Sequence, residues 1–304
     1  MFIEEYLQEL RRERFAPRAV EHYVRRSLAR ARESIVDHPG AARSIWSLGL
    51  VFFVLWFVAA AVLAVWDGRR LALDFFLLST LAMAPAFALV TLHVDLLRDR
   101  DGFRLSAVNL PTALTLLRIG LAPGVVLFLT RGHATLALAV YVLAELSDVA
   151  DGWLARRWRQ VTRLGTVLDP IVDIAFNVVV FAGLGWAGVL PAWVLAAALL
   201  RYAVLLFGGA GLYLFVGPVT IHPTLFGRLS GVVMVGLVSF LLLLHAVEVP
   251  WSQRLAPLTA TALGVLFTAA VLQVVALGWY NLRVMRGRAS AQGRVVGDVR
   301  WGSR

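Results

Sequence analysis

Glu145, Asp148, Asp151, Asp169 and Asp173 lie within one short stretch of a chain whose mean hydropathy is +0.76. Between residues 102 and 297 the only other acid is Glu248. An aspartate deep in a lipid-embedded helix costs about 2.5–3.5 kcal/mol, so such a cluster reads as a functional site. Helical spacing puts Asp148, Asp151, Gly152 and Ala155 on one face. Asp169 and Asp173, four residues apart, share a face of the next helix. If the two faces converge, four carboxylates meet with no positive side chain between them, and protonation or bound cations must relieve the repulsion. An all-oxygen donor set favours hard divalent ions, magnesium or manganese before zinc. Four carboxylates suit two such ions, the arrangement that serves in-line phosphoryl displacement.

The residues between the aspartates fit a large anionic ligand. Gly152 and Ala155 leave the carboxylate face of the first helix without bulk, and Gly165 does the same on the second. Arg156, one turn past Asp151, is placed to reach a phosphate oxygen, whereas Arg157, Arg159 and Arg163 read as topology-setting charges. Pro170 after Asp169 suggests the first turn of a helix, whose N-terminus would favour phosphate.

Asp148-x2-Asp151-Gly152-x2-Ala155-Arg156-x8-Gly165-x3-Asp169-x3-Asp173 resembles the complete signature of the CDP-alcohol phosphotransferases, and Asn109–Arg118 is similar to the opening of their first core helix. The likeness covers roughly residues 109–280 and looks most like the phosphatidylglycerophosphate synthases. It implies a homodimeric six-helix core with a polar cavity open to the cytoplasmic leaflet. It also implies a CDP-linked lipid, typically CDP-diacylglycerol, whose diphosphate sits on two metal ions, Mg2+ or Mn2+. By position, Asp148, Asp151, Asp169 and Asp173 would hold the metals, and Asp173 would also deprotonate the acceptor hydroxyl. Gly152, Ala155, Arg156 and Gly165 would line the cytidine diphosphate site.

Three arginines are candidates for the acceptor: Arg118, two turns into its helix; Arg201, mid-span, where it must pair with an acid or face a wet cavity; and Arg228, with His222 nearby. Glu145 is a candidate partner for Arg118 or Arg201, and His93, His133 and His245 read as inert interfacial residues.

The elements that must position these groups are membrane helices. Sixty per cent of the 304 residues are hydrophobic and 16% are charged, which excludes an ordinary soluble domain. Without cysteine there is no thiolate or disulfide chemistry. All 29 basic residues are arginine, and a net charge of +10 is better explained by loops facing the cytoplasm than by nucleic acid, which is not expected as a partner. Apolar runs at 45–66, 72–94, 111–130, 134–150, 166–187, 190–214, 228–247 and 257–280 predict eight spans. Alternate loops then sort the arginines: nine in 1–44, three in 95–110, four in 151–165, Arg228 and six in 281–304, against Arg69, Arg70, Arg131 and Arg254 on the other side. That bias places both termini and the aspartates on the cytoplasmic face of a bacterial-type cytoplasmic membrane.

The expected architecture is thus an all-α integral membrane protein. Residues 1–44 form a basic arm of two amphipathic helices about Pro17, lying on membrane lipid. Residues 45–108 supply two accessory spans, 109–280 the catalytic core, and 281–304 a disordered cytoplasmic tail. The expected activity is transfer of a phosphatidyl group from CDP-diacylglycerol to glycerol 3-phosphate. Ile174 stands where the glycerol-3-phosphate-using members often have lysine, so inositol phosphate, serine and phosphatidylglycerol stay open as acceptors. A membrane prenyltransferase would need a second aspartate cluster, which the chain lacks, and a divalent-cation transporter would not need Gly152, Ala155 and Arg156 at fixed offsets.

Overall fold

The computed structural model describes residues 16–99, 101–209, 211, 225–247 and 249–299. Its helices are α1 (Pro17–Asp37), α2 (Pro39–Trp66), α3 (Arg69–Leu92), α4 (Leu110–Thr130), α5 (Ala134–Arg157), α6 (Arg163–Trp186), α7 (Ala192–Ala203), α8 (Leu225–Ala246) and α9 (Pro250–Val299). A π-helical turn, Val204–Gly208, continues α7. Among the described residues there is no strand, only an isolated bridge between Arg98 and Arg104. The chain is an all-α integral membrane protein.

Contacts between helices trace a closed ring: α4 on α5, α5 on α8, α8 on α9, α9 on α7, α7 on α6, and α6 back on α4. The accessory pair α2 and α3 packs outside this ring against α4, and α1 lies across α2, α3 and the 3-10 turn Val94–Leu96. Being covered on both sides, α4 has 67% of its apolar window buried, against 22% for α2. It is the most enclosed of the candidate spans and a rigid place from which to present polar side chains.

Among the described residues, six helices are long and apolar enough to cross a membrane: α2, α3, α4, α6, α8 and α9 up to Tyr280. The other two expected spans differ for physical reasons. Helix α5 has 24 residues but carries Glu145, Asp148 and Asp151 together with Arg156 and Arg157. In the run 190–214 the described residues give the short apolar helix Ala192–Gly208, and most of 210–224 lies outside them. Helix α2 begins at Pro39, six residues earlier than expected, because proline suits a first helical turn. The first half of the basic arm lies outside the described residues; the second is α1, which buries Ala19 and Ala31 and pairs Arg30 with Asp95 at 3.4 Å. The tail expected to be disordered from 281 instead continues α9 as helix to Val299, since no proline follows Pro257 to stop it.

The accessory hairpin docks on α4 by inserting aromatic rings where α4 has no side chain. A Cβ on Gly120 would collide with the Trp56 indole, and one on Gly124 would lie 2.9 Å from the Phe75 ring. Gly120 and Gly124 are one turn apart, so the two rings stack into successive notches, the small-residue contact that lets membrane helices approach. Trp56 meets Phe75 edge-on at 5.9 Å, and Phe75 stacks on Phe128 at 5.5 Å. Asp67 contacts His133 at 2.8 Å and Asp74 contacts Arg131 at 2.7 Å, tying the hairpin tip to the α4–α5 turn. His133, expected to be inert, is thus part of the docking.

Gly120→Val should overfill the notch and cost about 1–3 kcal/mol, read as a lower Tm of the detergent-solubilised protein. Gly236→Ala on α8, where an added Cβ meets nothing within 4 Å, should leave Tm unchanged or raise it.

Candidate active site

The site begins with how α4 and α6 start. Asn109 caps α4: its Oδ1 accepts from the Thr112 amide at 3.2 Å and the Thr112 hydroxyl at 2.6 Å, and its Nδ2 donates to the Gln160 carbonyl at 2.6 Å. Thr162 caps α6 by accepting from the Gly165 amide at 2.9 Å. The helix therefore starts at Arg163, and Pro170 sits two turns inside it instead of in its first turn. Consequently Asp169 and Asp173 project from the body of α6 and not from its N-terminus.

Helix α5 ends in a Schellman turn: the Gln160 amide donates to the Ala155 carbonyl at 2.9 Å and the Arg159 amide to the Arg156 carbonyl at 3.4 Å. The residue in the left-handed position, usually glycine, is Arg159 at φ 56°. This turn delivers the Gln160 carbonyl to Asn109 and so locks the α5–α6 connection to the start of α4.

The aspartates of α5 and α6 converge on two side chains of α4. Thr115 Oγ1 lies 2.9 Å from Asp151 Oδ2 and 3.1 Å from Asp169 Oδ1. Arg118, less than one turn further on, places Nη1 2.6 Å from Asp148 Oδ1 and 3.7 Å from Asp173 Oδ1. The expectation of no positive charge among the carboxylates is therefore corrected: a guanidinium only 2% exposed stands between two of them. It comes from α4, whose turns contribute to the same face at threefold spacing, and linear spacing within the aspartate motif could not reveal it.

Asp148 and Asp173 are 44% and 53% exposed at the side chain, so the cluster lines an opening and is not sealed in the core. One arginine against four aspartates leaves the group negative. A hydroxyl has a single proton, so Thr115 can satisfy Asp151 or Asp169 but not both at once. The Arg118 Nε is buried without a partner. As the side chains stand, no three acids among the described residues are gathered closely enough to hold one ion. Arg118 and Thr115 fill the gaps between them. The donor chemistry nonetheless suits hard divalent cations, since the groups are oxygen-only, anionic and under-neutralised.

Beside the carboxylates runs a narrow cleft of about 40 Å³, lined by Thr112, Thr115, Asp151, Gly152, Ala155 and Gly165 among others. A nucleotide-sized ligand would lie across its mouth or part its walls. A Cβ on Gly165 would come within 3.1 Å of the Thr162 hydroxyl, so glycine keeps this wall open. Arg156 folds back over Gly152, with Nη1 3.3 Å from where a Cβ would be. Its exposed guanidinium thus lies beside Gly152, one of the residues that line the cleft.

The remaining candidates are further out. Arg201 has no acid within ion-pair distance among the described residues; its Nη1 is 3.1 Å from Met234 Sδ and its guanidinium lies 5.3 Å from the Tyr202 ring and 5.6 Å from the Phe267 ring. Its charge still acts on Asp173 at longer range. Arg228 is exposed in the first turn of α8 and forms no ion pair with the aspartates, and His222 lies outside the described residues. Glu145 pairs with neither Arg118 nor Arg201 within 4 Å; it is near Tyr141 on its own helix. The aspartate motif did not point to Asn177, whose Nδ2 donates to the Asp173 carbonyl at 2.9 Å and lies 3.1 Å from its Oδ1. Its signal was the continued fourfold spacing from Asp169 through Asp173.

Arg118→Ala should lower stability in metal-free buffer by about 1–3 kcal/mol, less than a fully buried pair because both carboxylates are half exposed. Added Mg2+ or Mn2+ should then raise the Tm of the variant more than that of the wild type; equal responses would contradict this charge balance. Arg159→Gly should raise Tm by relieving about 1 kcal/mol of left-handed strain.

Comparison with known proteins places the chain in a family. The family model described as CDP-alcohol phosphatidyltransferase matches residues 108–286, which takes in all four aspartates, Thr115 and Arg118. A cardiolipin synthase (CMP-forming) of Streptomyces coelicolor is 44% identical over 70 residues, 23% of this chain and 33% of the relative. A CDP-diacylglycerol–glycerol-3-phosphate 3-phosphatidyltransferase of Cereibacter sphaeroides is 34% identical over 106 residues, 33% of this chain and 48% of the relative. The human cardiolipin synthase (CMP-forming) is 36% identical over 84 residues, 27% of this chain and 28% of the relative. The chain thus spans between about a quarter and a half of the length of these relatives. With the family match extending over more than half of its residues, the chain belongs to the CDP-alcohol phosphatidyltransferase family.

Proposed function

We propose that this protein transfers a phosphatidyl group from CDP-diacylglycerol to an alcohol, with glycerol 3-phosphate as acceptor, and releases CMP in phospholipid synthesis. The supporting observation is the convergence of Asp148, Asp151, Asp169 and Asp173 on Thr115 and Arg118, next to the small-residue cleft. Two divalent cations, Mg2+ or Mn2+, held by these aspartates would polarise the diphosphate and stabilise charge on the departing CMP.

The chain's own groups do the rest. Thr115 and Arg118 hold the aspartates of two helices at one place, so their orientation need not be found anew for each substrate. Gly152, Ala155 and Gly165 admit the cytidine diphosphate against bare backbone, and Arg156 reaches its phosphate oxygens. Asp173, half exposed and braced by Asn177, accepts the proton of the acceptor hydroxyl. The acceptor oxygen forms a bond to the phosphorus that carries diacylglycerol, and the bond from that phosphorus to CMP breaks.

Arg201 supports a phosphorylated acceptor. Held by aromatic faces and a methionine instead of an acid, its guanidinium keeps hydrogen-bonding capacity for an incoming anion. Arg228 is the outlying member of this acceptor set. A second reading, with phosphatidylglycerol as acceptor, draws on the names of the Streptomyces and human relatives. The proposal includes eight-span subunits with termini and site facing the cytoplasm, supported by the arginine distribution, and a homodimer, supported by the family resemblance alone.

The test is metal-dependent CMP release by purified protein with CDP-diacylglycerol and, in turn, glycerol 3-phosphate, inositol phosphate, serine and phosphatidylglycerol. Release with glycerol 3-phosphate, lost in Asp173→Asn, is expected; release with none would overturn the proposal. Arg201→Ala should raise KM for glycerol 3-phosphate at least about tenfold, roughly 1.4 kcal/mol, while leaving that for CDP-diacylglycerol little changed. Equal changes in both would remove Arg201 from the acceptor site.

A further inference from the structure

The accessory hairpin forms a large cleft that lies outside the family region. Helices α2 and α3 enclose about 770 Å³, within the range of small-ligand pockets, roughly 300–1,000 Å³. Its walls are Ile45, Leu50, Phe53, Met83, Phe87 and their neighbours, almost wholly apolar. The hydroxyl of Thr91, at one end, is already used on the Phe87 carbonyl at 2.7 Å. Trp56 Nε1 and Thr80 Oγ1 have no hydrogen-bond partner but are covered by neighbouring atoms, so the open surface of the cleft is apolar.

Dimensions and charge narrow the occupant. Along α2 the cleft runs from Ile45 to Trp56, about 16 Å at 1.5 Å per residue, which matches one leaflet of a hydrocarbon core about 30 Å thick. On the α2 stripe formed by Trp46, Leu50 and Phe53, the next turn outward carries Arg43. Arg43 is exposed, its Nε donates to the Pro39 carbonyl at 3.2 Å, and no acid pairs with it among the described residues. At the same end, Arg104 contacts His38, and Asp95 is neutralised by Arg30. An apolar slot one leaflet deep with a basic rim is complementary to a lipid chain bearing an anionic headgroup.

The cleft also shares a wall with the core. Trp56 and Met83 line it and are the side chains against Gly120, half a turn past Arg118 on α4.

We propose that this cleft binds an acyl chain of an anionic phospholipid from the leaflet at the Arg43 end, with Arg43 at the headgroup. The lipid would hold Trp56 in its notch on α4. The site is separate from the aspartates, so the proposal stands or falls independently of the reaction assigned to them.

The experiment reads bound lipid and not activity. Full-length protein is equilibrated with mixed micelles of phosphatidic acid and phosphatidylcholine, washed in detergent, and its retained phospholipid measured by mass spectrometry. Gly49→Leu fills the slot, since an added Cβ there meets only Phe87 at 3.7 Å. Ala84→Phe fills it from α3 should the first variant fold poorly by circular dichroism. Wild type should retain phosphatidic acid over phosphatidylcholine, the filled variant should lose that retention, and Arg43→Gln should retain lipid without preference. Equal retention by the wild type and a folded filled variant would overturn the proposal. So would conversion of a dimer to a monomer on filling, which would make the cleft a subunit contact.

Discussion

Negative charge in an apolar body is the constraint around which this protein is organised. Asp148, Asp151, Asp169 and Asp173 come from two helices, and on their own they would repel each other and drive α5 and α6 apart. The compensation comes from a third helix: Arg118 and Thr115 of α4 reach between the aspartates and hold them as two linked pairs. The compensation is incomplete, because one guanidinium does not match four carboxylates. That residual charge gives the cluster an appetite for cations that a fully paired cluster would not have.

This arrangement requires that α4 hold still. It is enclosed between α5 and α6 on one side and the accessory hairpin on the other, with aromatic rings seated at Gly120 and Gly124. Its first turn is fastened through Asn109 to the α5–α6 connection. The left-handed Arg159 makes that fastening possible by ending α5 in a tight turn. The accessory region is therefore not an independent attachment; it backs the helix that carries the neutralising residues.

The aspartates, their two faces and the small residues beside them were legible from spacing alone, because helical periodicity is local. So was the helical membrane architecture. What stayed hidden was non-local. Arg118 read as an acceptor candidate with Glu145 as a possible partner, because its actual partners lie 30 and 55 residues ahead in sequence. Arg201 was expected to pair with an acid or face a wet cavity, whereas aromatic faces and a methionine lie against it. Pro170 suggested a helix start, but the stronger cap at Thr162 moved that start earlier. The polar, arginine-rich tail read as disorder, but α9 runs on without a proline to end it.

Direct measurement of metal binding tests the charge balance most closely. Isothermal titration of Mn2+ into purified protein, without nucleotide, should show divalent ions bound at the aspartates. Binding should weaken sharply in Asp151→Asn and in Asp173→Asn, while Asp74→Asn, at the hairpin's far end, should bind as the wild type does. Unchanged binding in the two cluster variants, or none in the wild type, would mean that Arg118 and Thr115 satisfy the carboxylates by themselves, and the cluster would then be a structural junction instead of a cation site.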